Sequence, residues 1–469
     1  MPAMTPWESS ARHAAVEVVR TLRAAGHVAY FAGGCVRDAL RGHAPQDYDI
    51  ATDAPPPRVR ELFKHSRFVG EAFGVVLVSM LGDRCDHMPR DEAEVLDHPN
   101  ARGRYKHQVE VATFRTEWGY EDGRRPSGVA FCDAETDARR RDFTVNGLFE
   151  DPLAASAEAS IIDYVGGRDD LNRGVIRAIG DPHERFGEDY LRMLRAVRFA
   201  ARMDFRLDRA TAAAIQAHAP QLNRISRERI GQELEAMLAG PRPLRCVRLL
   251  RRLGLDGPVL EEISRHRGDD RAPTIALAAR LSRGGAGDFP GMLAAWMIDR
   301  HLPPAPLQAE AGAANLRGWL RNAVTSFAAE PASSMIPRWR NALCLNNEQR
   351  DALRDVILHL PVLLGWEDLS VAQRKRLLAR RIWPTLWLVA RALNWQLGMP
   401  ALLVRIEHES ASLFVEGVAP PRLLTGDGLV ALGFKPGPKF GALLEAIYDA
   451  QLEKKIHTRD EAEALARQL

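Results

Sequence analysis

The chain has 469 residues, enough for about three domains, and its 46% hydrophobic and 27% charged content excludes a disordered or collagen-like polypeptide. Lys+Arg 64 against Asp+Glu 61 gives +3, too close to neutral to announce a nucleic-acid partner by itself. The basic side is lopsided, with seven Lys and 57 Arg, which codon composition explains, yet Arg is also the residue of bidentate phosphate recognition.

Residues Ser9–Ala25 read as an amphipathic helix, with Val16, Val19 and Leu22 on one face and Gly26 at its end. His27–Ala32 is a short apolar strand, followed by Gly33-Gly34 and one or two helical turns at Val36–Arg41. Asp47–Thr52 alternates like a strand, and Pro56–His65 fits a helix with Pro in its first turn. Phe73–Met80 and Val109–Phe114 are further strands, separated by the polar stretch Leu81–Gln108, too long for an ordinary connection. This mixed pattern fills roughly the first 150 residues, and from about residue 181 the pattern is helical to the end. Breaks at Gly240–Pro243, Arg283–Pro290 and Pro303–Pro306 are candidate joints.

The five Cys include no CxxC pair, so neither a disulfide framework nor a thioredoxin-like site is expected. With no signal-peptide pattern at MPAMTPWESS and no run of 18 apolar residues, the cytoplasm is the expected location. Cys85, His87, His98 and His107 in the polar stretch fit no common zinc spacing, and no zinc site is expected from them.

Asp47 and Asp49 carry the first chemical signal. On a strand both would leave the same face, and two carboxylates that close repel unless a cation such as Mg²⁺ sits between them. A solvated edge pair is the plain alternative. Thirteen residues before Asp47 stands Gly34, in Gly33-Gly34-Cys35-Val36-Arg37-Asp38. Two glycines after a strand let backbone N–H groups approach a phosphate chain, and Arg37 stands one turn in, where it could grip a triphosphate. Asp38 serves equally as a first-turn helix stabiliser or an Arg partner. Glu110 is a third carboxylate candidate, orienting the metal or receiving a proton, or else an exposed strand glutamate.

In a helix predicted over Glu188–Met203, Asp189 and Arg192 stand at i and i+3. An ionised Asp only accepts and an Arg only donates, so together they match the edge of cytosine or adenine and leave guanine and uracil unpaired. An ordinary intrahelical pair, with Glu188–Arg192 at i,i+4 as good, is the alternative. Arg195 and Arg198 continue the row, drifting about 60° around the helix per step.

The combination YFAGGCVRDALRG…DYDIAT resembles the head of the class II tRNA nucleotidyltransferase and bacterial poly(A) polymerase family. Arg140-Arg141-Asp142-Phe143-Thr144-Val145-Asn146-Gly147-Leu148 is similar to its ribose-contacting RRDFTxNAL motif, with Gly147 where Ala is usual. Arg185-Phe186-Gly187-Glu188-Asp189-Tyr190-Leu191-Arg192 resembles its RFxEDxxR segment, and Arg227–Glu233 its ERIxxE element. More weakly, Leu424-Thr-Gly…Gly437-Pro438…Gly441…Ala450-Gln451-Leu452 resembles the tail of longer bacterial members. Some relatives hold a His-Asp phosphohydrolase domain in the middle region; this chain has no His-Asp dipeptide, and Leu277–Arg283 stands where one would fall, so that activity is not expected.

The resemblance implies an α+β nucleotidyltransferase head of polymerase-β-like palm type over 1–165, a helical neck over 166–242 and a helical, tRNA-binding body and tail over 243–469. It implies template-independent addition of CMP and AMP from CTP and ATP to the tRNA 3′ end, with Mg²⁺ held by Asp47 and Asp49 and with Glu110 beside them. Nucleotide contacts are expected from Gly33, Gly34, Arg37, Arg140, Arg141, Asp142, Asn146, Asp189, Arg192, Arg195 and Arg198. Poly(A) polymerase, a partial CC- or A-adding enzyme and a catalytically silent RNA-binding protein are the alternatives. The insertion at about 81–108, near a region whose flexibility switches specificity in the family, leaves the number of nucleotides open.

Overall fold

The structure, a computed structural model, describes residues 6–45, 47–69, 74–81, 105–120, 126–262, 288–301, 313–396 and 400–469. The described residues form two compact units, 1–230 with 252–258, and 231–251 with 259–469.

The first unit is built on a mixed sheet. Helix α1 (Pro6–Ala24) precedes strand β1 (Ala29–Ala32), helix α2 (Gly34–Leu40), strand β2 (Asp49–Thr52), helix α3 (Pro56–Leu62) and strands β3 (Ser66–Phe68), β4 (Val75–Leu81) and β5 (Tyr105–Thr113). A hairpin of β6 (Arg115–Tyr120) and β7 (Pro126–Phe131) leads to α4 (Ala134–Arg140), then β8 (Leu148–Glu150), α5 (Ala157–Ser160), β9 (Ile161–Asp163), α6 (Gly167–Arg173) and β10 (Val175–Ile176). Helices α7 (Pro182–Glu188) and α8 (Leu191–Met203), strand β11 (Arg206–Leu207) and α9 (Arg209–His218) follow, and α10 (Arg227–Leu238) begins in this unit.

The main sheet runs β3-β4-β5-β2-β1-β8-β9, with β2 and β5 parallel and its other neighbouring pairs antiparallel. Period-two alternation divides its faces. Phe31, Ile50, Val109 and Val111 join Val16, Val19 and Leu22 of α1 in one core, whereas Asp49, Ala51, Glu110 and Ala112 line a cleft on the other face. Burying each large apolar side chain contributes about 1.5–3 kcal/mol, so a register slip that exchanged the faces is strongly disfavoured.

Several expected boundaries move. Strand β2 starts at Asp49, so Asp47 sits on a bend before it and the shared-strand-face reasoning fails for Asp47. Tyr48, between the bend and the strand, is buried with its ring 5.2 Å from that of Phe31. Helix α3 stops at Leu62 rather than His65, because β3 begins at Ser66 and pairs with β4. Strand β5 starts at Tyr105, inside the stretch expected to be irregular, because Met80↔His107 and Ser79↔Gln108 extend its antiparallel ladder. Residues 82–104, with Cys85, His87 and His98, lie outside the described residues, as does Leu277–Arg283.

The helix expected over Glu188–Met203 is two helices. Asp189 is extended (φ −151°, ψ 105°) and its carboxylate accepts from the Leu191 N–H at 3.0 Å, a local side-chain bond that stops α7 and starts α8. The region after residue 181 also contains β11, parallel to β10.

The second unit is helical throughout its described residues, with long helices at Phe289–His301, Ala313–Ala329, Asn347–Leu364 and Pro400–Glu416. Glu262 anchors its interior, accepting from Trp339 Nε1 at 2.6 Å and Arg300 Nε at 3.1 Å, with His301 Nε2 at 3.6 Å, too long for a hydrogen bond. A smaller cluster of Leu424, Leu429, Ile447 and Ile456 holds the C-terminal helices Gly426–Ala431, Pro438–Leu452 and Arg459–Gln468 together. Among the described residues no helix is long and apolar enough to cross a membrane.

Candidate functional site

The cleft on the polar face of the sheet has a volume of about 620 Å³, within the range of small-molecule sites. Eight arginines and four carboxylates line it, a local cationic excess that the near-neutral chain total conceals.

One wall is acidic. Asp49 on β2 stands in register with Glu110 on the parallel strand β5, so both carboxylates leave the same face side by side. Burial, then the charge of Glu110 and that of Asp47, push the Asp49 carboxyl up to about 6, and Arg141 opposes this only in part. Asp47 is exposed on its bend and is not on the cleft lining. Among the described residues no three His, Cys, Asp or Glu side chains converge as a ready-made metal cluster. The chemistry of the donors nevertheless fits a hard cation: two carboxylates side by side, one made hard to ionise by burial and then by Glu110, offer the oxygen ligands such an ion prefers.

The turn into α2 forms the next wall. Gly33 has φ +72°, a backbone conformation that favours glycine, and a Cβ there would lie 3.0 Å from Arg141 Nη1, which would have to shift to admit it. Gly34 also lines the cleft. Arg37 lies on the lining but is 4% exposed: Nε and Nη2 donate to Asp38 at 2.8 and 3.0 Å, and Nη1 to Asn146 Oδ1 at 2.6 Å. Its fork is therefore occupied inside the protein, where it holds Asn146 at the cleft. The Asp38 partner role read from the sequence is the one the structure gives.

Arg140 and Arg141 leave the end of α4, both gripped by one buried carboxylate, Asp137, which Arg140 Nε reaches at 2.9 Å and Arg141 Nη2 at 2.9 Å. Burial alone would raise the Asp137 carboxyl; Arg141 and Arg140 hold it below the usual range. Asp137 was not a sequence candidate, although an acid three and four residues before paired arginines is a readable helical signal. Asp142 and Asn146 meet behind them, with Asn146 Nδ2 donating to Asp142 Oδ1 at 3.0 Å and Arg195 Nε to Oδ2 at 2.9 Å. Asp142 is likewise kept below its usual range, Arg195 and Asn146 outweighing burial. Phe199 lies under three guanidiniums, those of Arg37, Arg195 and Arg198, at 5.3, 5.3 and 4.5 Å from its ring centroid.

At the remaining wall Asp189 and Arg192 both line the cleft, but they are not stacked on one helical face. Arg192 pairs with Glu188, the alternative that its i,i+4 spacing offered, and also donates to the Arg185 carbonyl at 3.0 Å. Asp189 is clamped by Arg229 of α10, with Nη2 at 2.6 Å from Oδ2 and Nη1 at 3.2 Å from Oδ1. Arg229 stands inside the expected ERIxxE element but was not a site candidate; a contact 40 residues away in sequence leaves no local trace. The cleft thus brings together Gly33, Gly34, Arg37, Asp49, Glu110, Arg140, Arg141, Asp142, Asn146, Asp189, Arg192, Arg195 and Arg198, and leaves Asp47 at its margin.

Residues 29–177 match the family model of the poly A polymerase head domain, and residues 204–266 match that of the probable RNA and SrmB-binding site of polymerase A. The CCA-adding enzyme of Limosilactobacillus reuteri is 40% identical over 228 residues, 48% of this chain and 49% of the relative. That of Enterococcus faecalis is 43% identical over 227 residues, again 48% and 49%. The chain thus spans about half the length of the curated relatives it matches. The crystal structure of the Bacillus stearothermophilus CCA-adding enzyme in complex with CTP aligns over 99% of this chain and 98% of its own, at 26% identity and a TM-score of 0.69.

Proposed function

We propose that this chain belongs to the class II tRNA nucleotidyltransferase and bacterial poly(A) polymerase family and adds CMP and AMP without a template to the 3′ end of tRNA in the cytoplasm, drawing on CTP and ATP. The observation that carries this reading is the meeting, in one cationic cleft, of the Asp49–Glu110 carboxylate pair with the Asp189 and Arg192 side chains. The first pair suits phosphoryl chemistry and the second suits a base edge.

Asp49, with Asp47 beside it and Glu110 in register, would hold Mg²⁺. Bound there, Mg²⁺ would activate the RNA 3′-hydroxyl and stabilise the leaving pyrophosphate. Glu110 is placed to orient that ion or take the hydroxyl proton. Gly33 and Gly34 offer close backbone approach for the triphosphate, with Arg140, Arg141 and Arg195 supplying positive charge and Arg198 stacked on Phe199 beside them. Arg37 and Asp142 hold Asn146 for the ribose.

Asp189 accepts and Arg192 donates, so a base presenting an amine beside a ring nitrogen satisfies both, while a carbonyl beside an N–H satisfies neither. The two groups are each held by a protein partner, Asp189 by Arg229 and Arg192 by Glu188, which keeps the reading geometry independent of a nucleic-acid template. In this reading 1–165 is the catalytic head, 166–242 the nucleotide-reading neck and 243–469 the part that grips the tRNA through backbone and shape.

The test offers single nucleotides with Mg²⁺ and a tRNA ending before its CCA. Incorporation of C from CTP alone, with GTP and UTP refused, supports the reading. Equal use of all four nucleotides, or none with any, sinks it.

A further inference from the structure

On the first unit, away from the lining of the cleft, two histidines from different helices face each other. His183 Nδ1 near the start of α7 lies 3.1 Å from His218 Nε2 at the end of α9, with the rings at 63°. His183 is exposed and His218 half-buried, so one ring is anchored and the other opens to water. The far side of His218 is packed by Tyr190, 5.9 Å between ring centroids, the residue that follows Asp189. Burial, then the neighbouring His183, lowers the His218 pKa, which favours the neutral imidazole that ligates metals.

Two nitrogens bound to one ion at about 2.1 Å lie about 3.0 Å apart at a right angle and about 3.4 Å apart at the tetrahedral angle. The observed 3.1 Å, the length of the hydrogen bond the two rings share, also falls within this span. We infer that His183 and His218 form a two-imidazole site for a divalent transition ion of the Zn²⁺, Ni²⁺ or Cu²⁺ class, with water completing the shell.

Imidazole nitrogen suits these ions and not Mg²⁺, which prefers oxygen, so the site is chemically distinct from the Asp49–Glu110 wall. In the ion's absence one nitrogen of the pair carries the shared proton and the other accepts it. Binding moves that proton to the same ring's second nitrogen through solvent. Both lone pairs then face the ion, and no net proton leaves two neutral rings. The bound ion ties α7 to α9 across 35 residues of sequence, immediately before the segment that presents Asp189.

The experiment titrates Ni²⁺ into the tag-free, chelator-stripped full chain in excess Mg²⁺, followed by calorimetry and the thermal midpoint. One equivalent that Mg²⁺ does not displace, with a raised midpoint, is expected for the wild type and for Asp49→Asn. His183→Ala and His218→Ala should each weaken it at least about tenfold, the least that losing a ligand costs when outer-shell losses already cost 10–100-fold. Should either variant unfold, Cu²⁺ electron paramagnetic resonance on the wild type against His183→Gln decides. Nitrogen coupling lost with that substitution supports the site. Wild-type binding retained by both histidine variants, coupling unchanged by His183→Gln, or no Mg²⁺-resistant equivalent overturns it.

Discussion

Replacing Asp49 by Asn removes the charge that the acidic wall makes hardest to hold. The folded Asp49 carboxyl titrates near 6 against an ordinary value of 3.8, chiefly through burial and then Glu110. Its pKa is raised in the folded state, so the native protein binds the extra proton between these values. Stability therefore falls as pH rises from about 4 to about 6, and the penalty is complete above about 7. A shift of about two units corresponds to about 3 kcal/mol. The carboxyl is packed within the cleft, but enough of the residue is open to water that screening reduces this to about 1 kcal/mol. Asp49→Asn should consequently stabilise the protein by about 1 kcal/mol at pH 7.5, equal it below pH 4, and abolish nucleotide incorporation. Urea unfolding of both proteins across this range, with and without Mg²⁺, reads the difference. Mg²⁺ should raise the wild-type midpoint and leave the variant unmoved. A variant less stable than wild type at pH 7.5, or a difference independent of pH, refutes the electrostatic origin of the strain in this wall.

Arg229→Met removes the clamp on Asp189 and should cut discrimination of CTP and ATP against UTP and GTP at least tenfold, about 1.4 kcal/mol in relative kcat/KM; unchanged selectivity would make Arg229 merely structural. Gly33→Ala places a side chain at φ +72° and against Arg141, and should cost roughly 1–2 kcal/mol in urea unfolding together with a raised KM for nucleotide. In the second unit, burial alone would raise the Glu262 carboxyl, but His301, Trp339 and Arg300 bring it down to about 2 from an ordinary 4.5. That depression is worth up to about 3 kcal/mol, fully present above pH 4.5 and lost as pH falls towards 2. Glu262→Gln should therefore lose about that much at pH 7 and flatten the acid limb of the stability profile, and an unaltered acid limb would exclude Glu262 as its source.

The parts of the site carried by short-range patterns were readable in the residues. Gly33-Gly34 and the Asp142–Asn146 spacing are local patterns that the fold keeps, whereas the alternation expected to put Asp47 and Asp49 on one strand face begins only at Asp49, and the Asp49–Glu110 pairing is set by strand register. What escaped depends on long-range pairing or on competition between local bonds. The start of β5 at Tyr105 is set by a ladder partner in β4, and polar residues at strand positions hide it. The break at Asp189 needs a carboxylate that caps the next helix in preference to continuing the last one, a choice that helical periodicity cannot register. Arg37 and Arg229 show the same limit in opposite directions. Arg37 has the spacing of a ligand-binding arginine yet is buried on Asn146, whereas Arg229, with no distinguishing local pattern, holds Asp189.

Completion of tRNA ends is open to a direct measurement: sequencing the 3′ ends made from a tRNA lacking CCA with CTP, ATP and Mg²⁺ together. The products should end in C-C-A and grow no further on prolonged incubation. Long A tails, or a permanent stop after C-C, would contradict the proposed activity.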